Sequence, residues 1–199
     1  MFTGIIEELG TVESVEAQGS DARIRIAAKL VTEDIHEGDS ISVNGVCLTA
    51  LHVSKESFEA DVSRETLERS TLGRLEPNTP VNLERSVTAA TRLGGHLVQG
   101  HVDARGTFLG AEGHGGSWTV RIAYPKEIAR YLVFKGSVAV EGISLTIAEL
   151  TNEHFAIAVI PKTWEVTNFS HLQPGDAVNL EVDVIAKYVE RLLNADTDR

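Results

Sequence analysis

The stretch Val43-Asn44-Gly45-Val46-Cys47-Leu48-Thr49 recurs 97 residues later as Val140-Glu141-Gly142-Ile143-Ser144-Leu145-Thr146. The same shift lays residues 43–85 over residues 140–182 without a gap, and 15 of these 43 pairs are identical. A repeat of this length that occurs only twice indicates duplication of a whole domain, because solenoids need three or more short units.

The repeat extends towards both ends of each copy. Val81-Asn82-Leu83-Glu84 matches Val178-Asn179-Leu180-Glu181, and near the start a shift of 96 pairs Gly4 with Gly100. Each copy is long enough to bury its own core. The sequence therefore predicts two tandem domains and a C-terminal tail, with the boundaries 1–96, 97–186 and 184–199.

Each copy has the pattern of short strands separated by turns. Polar and apolar residues alternate in residues 21–26, 40–43, 58–62 and 118–122, as in half-buried strands. Asn44-Gly45 favours a hairpin because both residues tolerate positive φ. Since closure removes exposed sheet edges, the predicted fold class is all-β, with two six-stranded antiparallel barrels that are closed or nearly closed. A sandwich is the alternative architecture.

The C-terminal tail has a helical pattern. Its apolar residues recur at helical spacing over residues 184–194, with polar residues on the opposite side, which predicts an amphipathic α-helix. The first copy has no equivalent helix. The apolar face needs a partner, and both a barrel surface and the same helix from other subunits would serve.

Composition excludes several function classes. The 29 acidic against 18 basic residues give a formal net charge of -11, which repels a nucleic-acid backbone. No segment approaches the length of an apolar membrane span, and the first residues do not resemble a signal peptide. The single cysteine, Cys47, excludes an internal disulfide and a cysteine-rich zinc site. We expect a protein of the reducing cytoplasm that binds no metal, nucleic acid or membrane.

The two copies differ at positions that could carry chemistry. Cys47 is matched by Ser144 and Ile5 by His101, whereas Thr49 and Thr146 are identical. Taken singly, Cys47 could be a small buried apolar side chain, and the hydroxyls could simply bond to nearby backbone. Their coincidence at equivalent positions favours two related pockets with different polar groups.

Four motifs in order closely resemble the riboflavin synthase family: residues 1–7, 44–49, 94–102 and 142–146. The similarity runs from residue 1 to the C-terminal helix. The resemblance implies two Greek-key barrels, assembled as a homotrimer through the C-terminal helices. It also implies a reaction in which two molecules of 6,7-dimethyl-8-ribityllumazine exchange a four-carbon unit, giving riboflavin and 5-amino-6-ribitylaminouracil without a coenzyme. Association with lumazine synthase is left open.

The resemblance also implies a set of substrate-binding residues, transferred motif by motif. In the first barrel they are Gly4, Ile5, Ile6, Cys47, Leu48, Thr49, Asp61, Val62, Ser63, Arg64, Glu65 and Thr66. In the second they are Gly100, His101, Val102, Ser144, Leu145, Thr146, Val159, Ile160, Pro161, Lys162, Thr163 and Trp164, with Lys135 reaching in from the neighbouring subunit.

Catalytic roles are expected for five of the polar side chains. His101 is the expected proton carrier for the acidic C7 methyl group, with Ser144, Thr146 and Asp183 as its polar relay. Cys47 is expected to polarise the substrate or to add to it transiently. Two similar pockets held face to face would turn a bimolecular step into an effectively unimolecular one.

Two other functions compete with this interpretation. A lumazine-binding antenna protein would resemble the family in both barrels but would not convert its ligand. Such a protein would lack the polar side chains of one pocket, whereas here the polar side chains of both pockets are present. A general flavin carrier or flavin-dependent reductase would not explain the duplication.

Overall fold

A computed structural model describes residues 1–194, which form twelve β-strands and three α-helices. The strands are β1 Glu8–Gln18, β2 Asp21–Ala27, β3 Ser40–Val43, β4 Val46–Thr49, β5 Ser57–Val62, β6 Pro80–Arg85, β7 Ala104–His114, β8 Ser117–Ala123, β9 Ser137–Val140, β10 Ile143–Leu150, β11 His154–Val159 and β12 Ala177–Val182. The helices are α1 Arg64–Arg69, α2 Pro161–Val166 and α3 Val184–Asn194.

The strands form two six-stranded antiparallel sheets, so the predicted all-β class is confirmed. The first sheet has the order β4-β3-β6-β1-β2-β5, and the second forms a closed barrel in the order β10-β11-β8-β7-β12-β9. Strands β7 to β12 are equivalent to β1 to β6. The closed barrel, followed from β10 in the opposite direction, has the same order of equivalent strands as the first sheet. Each copy also buries its own apolar cluster, centred on side chains such as Phe58 and Phe155.

The first sheet is nearly closed rather than closed. Its edge strands meet only where Leu51 and Glu59 exchange two backbone hydrogen bonds of 2.8 Å. β4 ends at Thr49, and His52 then adopts a φ of 45°, a conformation that interrupts an extended strand. In the second copy β10 continues to Leu150 and pairs with both neighbours.

The two copies meet around a local two-fold axis. Phe2 and Val98 exchange backbone hydrogen bonds of 2.7 and 3.1 Å. Gly45 and Gly142 lie at the two hairpin turns with φ of 78° and 80°. A Cβ atom on Gly45 would lie 2.6 Å from the backbone nitrogen of Gly142, so only glycine allows the turns to pack backbone against backbone.

The C-terminal helix α3 confirms the predicted helical pattern. Its polar side is held to its own barrel by an ion pair of 2.6 Å between Lys187 and Asp103, and by Glu190, which accepts from Arg130 and Tyr131. The large apolar side chains of the helix are exposed: Ile185, Tyr188, Val189, Leu192 and Leu193. Residues 195–199 of the predicted tail lie outside the described residues. No helix within the described part of the chain is long and apolar enough to cross a membrane.

Candidate functional site

Two backbone segments cross between the copies. The carbonyl oxygen of Gly4 accepts a 2.8 Å hydrogen bond from the backbone N–H of Ser144, and that of Gly100 accepts one of 2.8 Å from Cys47. The N-terminal segment therefore lies against the second barrel. The segment that connects the copies lies against the first sheet.

The first candidate site lies where the connecting segment meets the first sheet. Cys47 lies in β4, while α1 supplies Glu65 and Thr66. Together with Gly100, His101 and Val102, these residues surround a cavity of about 190 Å³. Ligand pockets usually measure roughly 300–1,000 Å³, so this cavity would be one face of a site rather than a complete enclosure.

The second candidate site is the equivalent place on the second barrel. Ser144 replaces Cys47, and its hydroxyl oxygen lies 2.7 Å from Nδ1 of His96. The His96 side chain is buried, and its Nε2 atom has no hydrogen-bond partner within residues 1–194. Burial lowers the pKa of His96 below its usual range, and the negative charge of Asp183 opposes this effect. The site therefore contains a hydroxyl bonded to a neutral imidazole, near a carboxylate.

The predicted grouping of the two crossing segments is wrong. The resemblance implies that Gly4–Ile6 belongs to the Cys47 pocket and Gly100–Val102 to the Ser144 pocket, whereas the structure places each segment on the other copy. Ile6 packs against the second core and Val102 against the first. The physical reason is the Phe2–Val98 pairing, which joins the two segments at the junction of the copies before each of them reaches the sheet of the other copy.

The predicted relay from His101 to Ser144, Thr146 and Asp183 is also not formed within one chain. His101 lines the cavity beside Cys47, and the hydrogen-bond partner of the Ser144 hydroxyl is His96. Asp183 accepts a 2.9 Å hydrogen bond from the backbone N–H of Ile185 at the start of α3.

Several predicted site residues have side chains that pack in a core, form surface ion pairs or cap a helix. The side chains of Leu48, Val62 and Val159 are buried in the two cores, so only their main-chain atoms remain for a ligand. Three charged side chains form ion pairs at the surface and one serine caps α1: Asp61 with Arg23, Arg64 with Glu68, Lys162 with Glu165, and Ser63 with the N–H of Thr66.

The remaining predicted residues lie at the rims of the two sites or on nearby turns. Exposed among them are Ile5, Thr49, Lys135, Thr146, Ile160 and Pro161, while Leu145, Thr163 and Trp164 are half-buried. Lys135 adopts a φ of 65° on the turn before β9, with its ammonium 5.0 Å from the ring centre of Phe134. Within residues 1–194, no group of three or more His, Cys, Asp or Glu side chains is placed to hold a metal ion.

A stacked tryptophan pair is a further difference between the copies. The rings of Trp118 and Trp164 lie 4.6 Å apart, with planes 9° from parallel. The equivalent residues of the first copy are Ala22 and Leu67, because Ala22 pairs with Val62 as Trp118 pairs with Val159. Beside them the Asp21 carboxylate accepts from the N–H of Arg64 at the start of α1. The short helix beside each site is thus held by different interactions.

His96 is the functional candidate that the repeat did not reveal. Comparison of the copies highlights positions that have a counterpart, and His96 has none in the sequence. Its place in the Gly94-Gly95-His96 motif was the only available signal.

Comparison with known proteins agrees with the division into two copies. The family model for the lumazine binding domain matches residues 3–86 and again residues 99–183. Riboflavin synthase of Mycobacterium tuberculosis (strain ATCC 25618 / H37Rv) is 51% identical over 200 residues, which cover 98% of this chain and 99% of that protein. The chain belongs to the riboflavin synthase family.

Other members of the riboflavin synthase family match over similar lengths. The enzyme of Actinobacillus pleuropneumoniae is 45% identical and that of Bacillus subtilis (strain 168) is 42% identical, with 97% and 98% of this chain covered and 90% of each relative. LumP in its complex with riboflavin superposes with a TM-score of 0.86 at 23% identity, covering 92% of this chain and 99% of LumP. LumP complexed with 6,7-dimethyl-8-(1'-D-ribityl) lumazine gives 0.83 at 24% identity with the same coverage. At this identity the likeness to LumP shows the fold alone.

Proposed function

We propose that this chain is a riboflavin synthase, which converts two molecules of 6,7-dimethyl-8-ribityllumazine into riboflavin and 5-amino-6-ribitylaminouracil. A four-carbon unit passes from one molecule to the other, and the two products together contain all atoms of the two substrates. The reaction therefore consumes no oxidant or reductant. The observation that carries the proposal is the pair of equivalent sites: Cys47 and His101 line a cavity at the first, and Ser144 is hydrogen-bonded to His96 at the second.

The two sites would bind the two substrate molecules in similar ways. In each, a crossing segment and a hairpin strand present backbone N–H and C=O groups, which suit the alternating donors and acceptors of a pteridine rim. Thr66 and its equivalent Thr163, on α1 and α2, lie at matching places on the two sites. The first site would use Gly100–Val102 and the second Gly4–Ile6.

The second site would supply a base and a charge to stabilise it. In the tautomer that carries its proton on Nε2, His96 accepts from the Ser144 hydroxyl through Nδ1, which makes the serine oxygen a better base or nucleophile towards the substrate. The Asp183 carboxylate would stabilise the imidazolium that forms, as the acid of a serine–histidine–acid arrangement does. The hydroxyl of Thr146, on the same strand as Ser144, would form a hydrogen bond with the pteridine ring of the substrate.

The first site would handle the other proton transfer. His101 is exposed beside Cys47, so it can exchange a proton both with a bound ligand and with solvent. Its role as carrier for the C7 methyl proton is retained, with Cys47 polarising the ring. Because the two sites have different polar side chains, one bound molecule would be the donor and the other the acceptor of the four-carbon unit.

Assembly into a homotrimer would complete each site. The polar side of α3 is bonded to its own barrel, so its exposed apolar side is the surface available to the same helix from other subunits. The first site of one subunit would then face the second site of its neighbour, bringing His101 opposite Ser144 and placing Lys135 beside a neighbouring ligand. The free Cys47 thiol suits a reducing compartment such as the cytoplasm.

The direct test is turnover with 6,7-dimethyl-8-ribityllumazine, followed by the absorbance of riboflavin. Two substrate molecules should disappear for each riboflavin and each 5-amino-6-ribitylaminouracil formed. Ser144→Ala should abolish most turnover, while the exposed serine variant Ser170→Ala of the same barrel should keep it. Stoichiometric binding without riboflavin formation would instead identify a lumazine-binding antenna protein.

A further inference from the structure

Two buried carboxylates occupy equivalent positions in the last strand of each sheet. Glu84 in β6 is 4% exposed and Glu181 in β12 is 3% exposed. Neither forms an ion pair within residues 1–194, and their oxygens accept hydrogen bonds from the crossing segments instead. A buried carboxylate is costly unless it is paired in this way.

Glu84 holds the N-terminal segment. Its Oε1 accepts from the N–H and the hydroxyl of Thr3, both at 2.7 Å, and its Oε2 accepts from the N–H of Gly4 at 2.9 Å. The carbonyl of the same Gly4 accepts from Ser144. A carboxylate of the first sheet is therefore connected, through one residue, to the backbone of the second site.

Glu181 holds the connecting segment in the same way. Its oxygens accept from the N–H groups of Gln99, Gly100 and His101 at 2.6, 2.9 and 3.0 Å. The carbonyl of Gly100 accepts from Cys47, and His101 lines the cavity beside it. A carboxylate of the second barrel is therefore connected to the first site.

We propose that Glu84 and Glu181 are positioning residues that act crosswise, so that the carboxylate of each sheet fixes the geometry of the site on the other sheet. The inference rests on the proposed function only in taking the two sites as substrate sites. Each crossing segment is held at its N–H groups by one sheet and at a carbonyl group by the other. Losing the carboxylate should loosen the segment at the far sheet while the strand that carries it stays paired.

Glu84 and Glu181 differ in how directly their hydrogen bonds reach the residues of the site. Glu181 accepts from the backbone of His101 itself. In the N-terminal segment, Ile5 is equivalent to His101. Its N–H donates to the hydroxyl of Thr3 at 3.2 Å, and this hydroxyl in turn donates to Glu84. The position of His101 therefore depends directly on Glu181, whereas that of Ile5 depends on Glu84 through Thr3.

The test is amide hydrogen exchange at two residues, followed by NMR in the full chain without ligand. The N–H of Cys47 reports its hydrogen bond to the carbonyl of Gly100, and the N–H of Ser144 reports its hydrogen bond to the carbonyl of Gly4. In Glu181→Gln one acceptor oxygen becomes a donor, and a lost charge-assisted bond is worth about one factor of ten or more in a local opening equilibrium. We expect the Cys47 amide to exchange roughly tenfold faster while Ser144 stays within twofold of the parent.

Glu84→Gln is the matched control and should give the opposite result, with Ser144 accelerated and Cys47 unchanged. Acceleration at the site on the same sheet, equal acceleration at both sites, or no change at either would overturn the proposal. Because exchange is read without substrate, an inactive protein that showed the crossed pattern would contradict the proposed function and leave the positioning role standing.

Two milder variants keep the proposal testable if a glutamine variant fails to fold. Thr3→Val removes one donor to Glu84 and should accelerate only the Ser144 amide. Glu181→Asp keeps the charge but shortens its reach and should accelerate only the Cys47 amide. In kinetics, Glu181→Asp should lower kcat more than it raises KM, because it displaces His101, whereas a change in KM alone would contradict a positioning role.

Discussion

The hydroxyl of Ser144 lies 2.7 Å from Nδ1 of His96, a histidine that lies outside the matched positions of the repeat. At the equivalent place on the first sheet, Cys47 lies beside an exposed His101 instead. Two sites on one scaffold thus have a buried imidazole in one case and an exposed imidazole in the other. Burial lowers the pKa of His96 and so favours its neutral form, which is the form that can accept a proton.

Replacing His96 should impair catalysis more than binding. In His96→Ala the Ser144 hydroxyl loses its hydrogen-bond partner, so kcat should fall by roughly 10² or more while KM changes little. Because burial depresses the pKa of His96, the parent should stay active at pH values just below the ordinary histidine pKa and lose activity at lower pH. Steady-state kinetics across this range checks both points, with the exposed His171→Ala as control. An unchanged kcat in His96→Ala would remove this residue from the mechanism.

Replacing His101 should also act on kcat. If His101 is the proton carrier proposed for the first site, His101→Ala should lose roughly 10² in kcat with ligand binding nearly unchanged, while Cys47→Ser should be milder because a hydroxyl can still polarise the substrate ring. Single-turnover kinetics and fluorescence titration with riboflavin separate the two effects. If His101→Ala raised KM alone, His101 would be a binding contact.

The exposed side of α3 provides the test of assembly. Leu192→Gln should dissociate the proposed trimer or weaken it strongly, because it places an amide on the apolar face. Arg191→Gln, at the adjacent helix position, should leave the trimer intact. Sedimentation and activity measured at the same protein concentrations give the comparison, since activity should fall with the trimer. A Leu192→Gln protein that remained trimeric would show that another surface assembles the subunits.

The fold was predictable because the repeat preserves the residues that direct the chain. Asn44-Gly45 and Glu141-Gly142 make the same hairpin turn, and the closing strands share Val-Asn-Leu-Glu at 81–84 and 178–181. The open edge of the first sheet was less predictable, because it depends on the positive φ of His52, which is not a residue type that requires such a conformation.

The crossing of the segments could not be predicted from the repeat. A shift of 96 shows that Gly4 is equivalent to Gly100, but two equivalent segments can each contact their own copy or exchange with one another. The identical pattern of residues is compatible with both arrangements. The choice depends on contacts such as Phe2 with Val98, which pair residues of different copies and leave no mark on the similarity within a copy.

The crossing changes what an isolated first half should do. A fragment of residues 1–97 contains every fully buried side chain of the first core and should fold, but it lacks Gly100–Val102, which line the first site. A fragment of residues 1–103 restores them. We expect both fragments to show strand-rich circular dichroism, and the longer one to bind riboflavin about 5- to 30-fold more tightly, since it recovers backbone contacts worth roughly 1–2 kcal/mol. Equal affinity would show that the connecting segment does not contribute to the first site, and unfolded fragments would contradict the division of the chain into two domains.

The buried Glu141 at the junction of the copies should make stability depend on pH. It accepts hydrogen bonds from Asn179 and Asn168, yet burial raises its pKa from 4.5 to about 7. Between these two values the folded state binds the proton more tightly than the unfolded state, so the contribution of Glu141 to stability is greatest below pH 4.5 and is lost as pH rises through about 7. The difference in free energy of unfolding between the parent and Glu141→Gln should therefore shift against the parent, by up to about 3 kcal/mol, from pH 5 to pH 8. Urea denaturation at the two pH values measures it, and the exposed Glu153→Gln should show no such shift. A difference that stayed constant would show that Glu141 is ionised in the folded protein at both pH values.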